Sequence, residues 1–177
     1  YRQALSRTPG LVLAEEATPL LSIGYRGLDP HRTQFTQVLQ DGIPIAAEVD
    51  PELAAPQAIV LAPTRELAIQ VAAEIATIGK HRGLRTLPIY GGVGYGPQNE
   101  GLAIGPHIVV GTPGRILDHL GNGRLKLDHI RFFVLDEADE LLSLGFWPDM
   151  KEIERYLPPK EKRQTCLFSA TMPERVR

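Results

Sequence analysis

Arg131-Phe-Phe-Val-Leu-Asp-Glu-Ala-Asp139 is the stretch whose reading decides the fold. Phe132 to Leu135 is an unbroken apolar run, too short for a helix and rich in strand formers, so it reads as a strand buried on both faces. The run stops abruptly at Asp136, Glu137 and Asp139. Carboxylates at the carboxyl end of a buried strand are costly unless a cation, a hydrogen-bond network or water receives them. In open α/β sheets that edge is where ligands bind.

An apolar strand running into Asp-Glu has the pattern of a Walker B site. The first carboxylate, Asp136, would orient a Mg²⁺ and its waters on a nucleotide, and the second, Glu137, would polarise an attacking water. The same acids also suit a plain helix N-terminus, where they favour the dipole.

Strand and helix signals alternate on both sides of this run. Upstream, Ala58 to Ala62 reads as a buried strand. A turn at Pro63-Thr64 leads into a helix from about Arg65 to Gly79, with Leu67, Val71, Ile75 and Ile78 on one face. Arg85 to Tyr90 is the next strand, closed by Gly91-Gly92, and a short helix is expected around Pro97 to Leu102. His107 to Val110 is a third strand, with Pro113 opening a helix to Leu120. Downstream come a helix over 138–143, a turn at Gly145, a helix from about Pro148 to Tyr156, and a last strand from Gln164 to Phe168. The alternation predicts an α/β fold with a doubly wound, mainly parallel sheet and helices on both faces.

Residues 1–57 are less regular. Leu11 to Ala17 reads as the start of a helix, restricted by Pro19. Phe35, Val38 and Leu39 recur at helical spacing, Ile45 to Ala47 suits a short strand, and Glu48 to Gln57 reads as a surface linker.

The 177 residues suffice for one domain with a sizeable core, and 43% hydrophobic with 23% charged residues is ordinary globular composition. A net charge of −2 excludes a wholesale electrostatic grip on nucleic acid and leaves only a local basic or amide-lined patch. The single cysteine, Cys166, cannot form an internal disulfide; it fits a reducing compartment and reads as a buried structural thiol. No stretch is apolar and long enough to span a membrane and no signal-peptide shape is visible, so a cytoplasmic location is expected. His31, His81, His107, His119 and His129 have no metal-ligand spacing. Trp147 is expected to pack its helix, and Tyr156 to be core.

Several loops at strand ends are suited to chemistry. Pro63-Thr64-Arg65 presents free helix-start amides, a hydroxyl and a guanidinium, a means of holding a phosphate backbone without reading bases. A simple cap with Arg65 paired to an acid fits as well. Gly91-Gly92 admits close approach of another backbone, or simply ends a strand. Thr112-Pro113-Gly114-Arg115 repeats the helix-start arrangement. Its first-turn cation opposes the dipole, which calls for an anionic partner or an internal salt bridge.

Taken together, Pro63-Thr-Arg-Glu-Leu-Ala68, Gly91-Gly92, Thr112-Pro-Gly-Arg115, Asp136-Glu-Ala-Asp139 and Ser169-Ala-Thr171 resemble, in order and each after a strand, the motifs of the N-terminal RecA-like domain of DEAD-box RNA helicases. The resemblance covers residues 58–173. It implies a RecA-like sheet and an ATP- and Mg²⁺-dependent enzyme that separates short RNA duplexes. It also implies one RNA-binding surface from the first three loops. It assigns Asp136 to Mg²⁺ through water and Glu137 to the attacking water. Ser169 and Thr171 couple the nucleotide site to RNA through contact with Asp139. On this reading residues 58–177 are the first RecA-like domain, residues 1–57 an N-terminal part of helical segments and linker, and the second RecA-like domain is a partner outside this chain. The chain alone is expected to be inactive.

One element of the family pattern is missing. The chain has no Gly-x-x-x-x-Gly-Lys-[Ser/Thr] phosphate loop; its lysines are Lys80, Lys126, Lys151, Lys160 and Lys162, none in a glycine frame. Arg32 stands where the family's adenine-reading glutamine aligns, and Gln34, two residues on, is not assigned. Ten residues separate Ala47 from Ala58, about half of the roughly 20 that a phosphate loop and its helix need. A second reading follows, a non-enzymatic RNA-binding or scaffold domain that does without ATP. An unrelated α/β hydrolase lacks support, since there is no Gly-x-Ser-x-Gly elbow.

Overall fold

The computed structural model describes residues 11–15, 21–25 and 49–169. The expectations for residues 26–48, a helix through Phe35 to Leu39 and a strand at Ile45 to Ala47, lie outside them. Leu11–Glu15 is a strand (β1), not the start of a helix. It pairs antiparallel with β2 (Leu21–Tyr25), placing Leu13 opposite Ile23. Five residues ahead of a proline offer little to helix nucleation, whereas a hairpin partner supplies backbone bonds at once.

The remaining strands are β3 (Ala58–Leu61), β4 (Thr86–Ile89), β5 (Ile108–Gly111), β6 (Phe132–Leu135) and β7 (Gln164–Leu167). They form one sheet in the order β4-β5-β3-β6-β7, with every neighbouring pair parallel. The helices between them are α1 (Arg65–Gly79), α2 (Gly96–Ala103), α3 (Pro113–Gly121), α4 (Ala138–Ser143) and α5 (Trp147–Glu154). This is the doubly wound sheet expected from the alternation, in the RecA-like arrangement that the resemblance implies. Pro88 in β4 is tolerable because that strand is at an edge of the described sheet, where a missing N–H breaks no ladder.

Side chains alternate across a strand, and the two cores divide accordingly. Ile59, Leu61, Val109, Phe133 and Leu135 pack with Ile116 and Leu120 of α3, Leu141 of α4 and Met150 and Ile153 of α5. Ala58, Val60, Val110, Phe132 and Val134 pack with Ala68, Val71, Ala72 and Ile75 of α1. Burial on both faces explains why β6 carries no polar alternation.

The structure corrects several expectations. Ile78, assigned to the inner face of α1, is 46% exposed, because the inward stripe there runs through Ala68, Val71, Ala72 and Ile75. Tyr156 is 43% exposed: α5 ends at Glu154, so helical phase no longer governs it. Trp147 is also largely exposed, with the Lys151 ammonium 4.9 Å from its ring centre. Cys166 is half-buried rather than buried. The stretch 49–57 is no plain surface linker. Val49 joins the α1-side core, and buried Gln57 closes a tight loop. Its Nε2 donates to the Asp50 and Leu53 carbonyls, and its Oε1 accepts from the Asp50 N–H.

Candidate functional site

Parallel strands place all five carboxyl ends on one edge of the sheet, and every sequence-selected residue that the structure describes lies along it. Asp136 follows β6 directly. Its N–H donates to the Leu61 carbonyl and it is 3% exposed, so the carboxylate lies at the top of the core rather than in solvent. Its Oδ1 accepts from the Glu137 N–H at 3.0 Å. Burial pushes its pKa up to about 6, that hydrogen bond opposes the shift, and the negative charges of Glu137 and Glu74 add to it. A buried carboxylate in this predicament calls for a cation.

Glu137 is exposed and has φ +45°, the one non-glycine residue with positive φ among the described residues. It opens α4, its carbonyl accepts from Leu141 N–H, and the following Ala138 N–H donates to the Phe168 carbonyl. These bonds on both sides impose the left-handed turn. Burial of its carboxyl, then Asp139 and Glu140 beside it, raise the Glu137 pKa. A left-handed glutamate costs on the order of 1 kcal/mol. Glu137→Gly is therefore expected to leave stability unchanged or raise it by about 1 kcal/mol, measured as the urea midpoint. A loss of that size would mean that the side chain, not the backbone, holds the turn.

Ser169 lies at the end of β7, and its Oγ accepts from the Asp139 N–H at 3.1 Å, joining that strand end to α4. Thr171 lies outside the described residues.

The other three loops meet farther along the same edge. Thr64 caps α1, its hydroxyl accepting from Leu67 N–H, while Pro63 is buried and Arg65 is exposed. The Arg65 guanidinium sits 5.2 Å from the centre of the Tyr90 ring, beside Gly92. Gly92 has φ +79°, which suits glycine, and is exposed; Gly91 is half-buried. Thr112 precedes α3 with no capping bond from its hydroxyl, Pro113 is buried as the first helical residue, and Gly114 is exposed.

Arg115 points inward, with 9% of its side chain exposed. Its Nη2 donates to the Val93 carbonyl at 3.0 Å, its guanidinium stacks 4.1 Å from the Tyr95 ring centre, and its Nε lies 3.7 Å from Asp118. Of the two options left open by the sequence, the internal one holds for this side chain. Beneath it lies buried Gln98 of α2. Gln98 bonds the Tyr90 carbonyl at 2.9 Å and His119 Nε2 at 3.0 Å, and its Oε1 accepts from Arg115 at 3.5 Å. Burial, then the Arg115 charge, lowers the His119 pKa. Sequence reading missed Gln98, Tyr95 and His119. The four-residue step puts Arg115 and His119 on one face of α3, but no signal in the sequence brings Gln98 and Tyr95 opposite them.

Mg²⁺ suits the Asp136 edge, since it keeps several waters and needs only one or two carboxylates. ATP is not served equally well, because the sequence offers no amide-lined phosphate loop with its lysine.

The DEAD/DEAH box helicase family model matches residues 41–177. The chain is 52% identical over 136 residues to the DEAD-box ATP-dependent RNA helicase CshA of Geobacillus kaustophilus, covering 77% of this chain and 29% of that protein. It is 48% identical over 163 residues to the ATP-dependent RNA helicase DeaD of Escherichia coli, covering 92% of this chain and 26% of that protein. Among solved structures, a DEAD box protein from the hyperthermophile Methanococcus jannaschii superposes with a TM-score of 0.73 at 42% identity, covering 81% of this chain and 38% of that one. The chain thus spans between about a quarter and a third of the curated relatives it matches.

Proposed function

This chain belongs to the DEAD/DEAH box helicase family, and we propose that it acts as the N-terminal RecA-like part of an ATP-dependent RNA helicase, carrying the RNA-gripping face and the acidic edge of the nucleotide site. The carrying observation is the convergence of Arg65, Gly92 and the start of α3 on the sheet edge that also bears Asp136. Exposed helix-start amides at Thr64-Arg65 and Gly114, the open backbone at Gly91-Gly92, and one exposed guanidinium suit phosphates of any sequence. Pro63, Thr112, Pro113 and Arg115 hold those groups in place. This local basic and amide-lined patch is compatible with the negative net charge of the chain.

Asp136 is the residue to hold Mg²⁺ through water. A bound Mg²⁺ neutralises and orients phosphate oxygens, and Glu137, exposed next door, is placed to take a water's proton. Asp139 and Ser169 join this edge to β7, and Thr171 belongs to the same coupling segment. Without a phosphate loop no hydrolytic step is assigned to this chain by itself. Duplex separation belongs to the assembly with a second RecA-like domain. No helix among the described residues is long and apolar enough to cross a membrane, and a cytoplasmic location suits an RNA partner.

The test is binding of a fluorescent oligouridine by the chain over a salt series. The expectation is salt-sensitive binding, and Arg65→Ala is expected to weaken it roughly tenfold and to reduce the salt slope by about 1. Equal affinity in that variant would sink the RNA face. The missing loop favours a second reading, a scaffold that grips RNA without ATP. Binding indifferent to added ATP supports it, and binding tightened by ATP and Mg²⁺ removes it.

A further inference from the structure

The Gly91-Gly92 turn and the Thr112–Arg115 helix start follow different strands, β4 and β5, and both must meet one phosphate backbone. Beyond the β4–β5 ladder, in which Thr112 N–H donates to the Ile89 carbonyl, what joins them from below is a single buried amide. Gln98 Nε2 donates to the carbonyl of Tyr90, the residue just before Gly91, while its Oε1 faces His119 and Arg115 of α3. The amide has one workable orientation. A carbonyl can only accept, so the NH₂ must face Tyr90, and the oxygen must then face α3. His119 must therefore carry a proton on Nε2. Its Nδ1 is buried without a partner, so no bond on the far side of the ring competes for that orientation.

We propose that Gln98 is a positioning residue for RNA binding: its buried amide sets the Gly91-Gly92 backbone at a fixed distance from the start of α3, so that both engage successive phosphates of one strand. It touches no RNA itself, being buried. This rests on the RNA-binding reading above and adds a determinant that none of the strand-end motifs contains. Arg115 works in the same device from above, tying the Val93 carbonyl to α3. The two ties bracket Gly91 and Gly92, leaving the turn between them to face outward. A buried donor left without its acceptor is expensive, and so is the reverse, which makes the amide the natural point to break the device.

Gln98→Met keeps length and bulk and removes all three hydrogen bonds. Gln98→Glu keeps the acceptor towards α3 but turns a carboxylate oxygen against the Tyr90 carbonyl. Two readouts are taken on the whole chain: native hydrogen exchange, without RNA, of the Thr112 and Asn99 amides, which donate to the Ile89 and Tyr95 carbonyls on either side of the turn, and oligouridine affinity. Exchange of these two amides is expected to accelerate by about tenfold or more in both variants, while α1 and β6 stay protected. Affinity is expected to fall roughly tenfold, the equivalent of about 1.4 kcal/mol, with the Arg65 contribution to the salt slope retained. Faster exchange confined to those two amides with unchanged affinity overturns the proposal while leaving the RNA face intact. Unchanged exchange overturns it as well. A wild-type chain that binds no RNA overturns it together with the reading on which it rests, and the Arg65→Ala series identifies that case. If Gln98→Glu fails to fold, Gln98→Met alone decides.

Discussion

Gly111→Ala is expected to destabilise the chain by about 3 kcal/mol or more and to abolish measurable RNA binding. A Cβ at this last residue of β5 would lie 2.4 Å from the Ile89 carbonyl oxygen and 2.8 Å from Ile116 Cδ1. The side chain of Ile116 can turn aside at some cost. The carbonyl cannot, because it accepts the Thr112 N–H at 3.0 Å and belongs to the edge strand β4. Relief requires β4 to move away from β5, which breaks that bond and separates the Gly91-Gly92 turn from the start of α3. Stability and binding should therefore fall together, unlike in Gln98→Met, where binding falls and the fold remains. Urea denaturation and oligouridine binding check this. A variant of wild-type stability would mean that the β4–β5 seam yields more readily than a parallel ladder ought to.

The contrast between these two sites shows what the sequence could and could not disclose. The β6 run and its carboxylates were legible because burial on both faces leaves an uninterrupted apolar string, and an apolar string cannot end in three acids without a reason. The strand-end loops were legible for a related cause: parallel strands send every loop to one edge, so order along the chain becomes proximity in space. Arg115 was open between an anionic partner and an internal pair, and the geometry gives its side chain to Val93, Tyr95, Gln98 and Asp118. Nothing in a single sequence says that a glutamine in one short helix faces a histidine in another. Such contacts depend on tertiary approach between α2 and α3, not on period. Tyr156 failed for the opposite reason. Helical phase was extended two residues past the end of α5, into a turn where phase has no meaning. Val49 and Gln57 were taken for linker because prolines and acids surround them, yet one buried amide satisfies the backbone of that loop and lets Val49 reach the core.

Asp136→Asn is expected to stabilise the Mg²⁺-free chain at neutral pH by on the order of 2–3 kcal/mol, although it removes the residue on which the acidic edge is centred. Burial raises the Asp136 pKa from 3.8 to about 6. Between those values the folded chain retains a proton that the unfolded chain has already released. Stability consequently declines as pH rises through that window and stays low above it. Asparagine keeps the shape and the oxygen that accepts the Glu137 N–H, and has no charge to desolvate. In EDTA the variant and the wild type should melt together below about pH 4, diverge between about 4 and 6, and keep a steady gap above 6, the variant being higher. Added Mg²⁺ should raise the wild-type Tm at neutral pH and leave the variant unmoved, since only the carboxylate draws the ion. Parallel melting curves across the whole pH range would show that Asp136 is not held against its charge, and would remove the physical reason for placing a cation there. The expected pattern, by contrast, would mean that the fold bears a standing cost at one position that a bound cation relieves, as expected where a carboxylate is retained for binding rather than for stability.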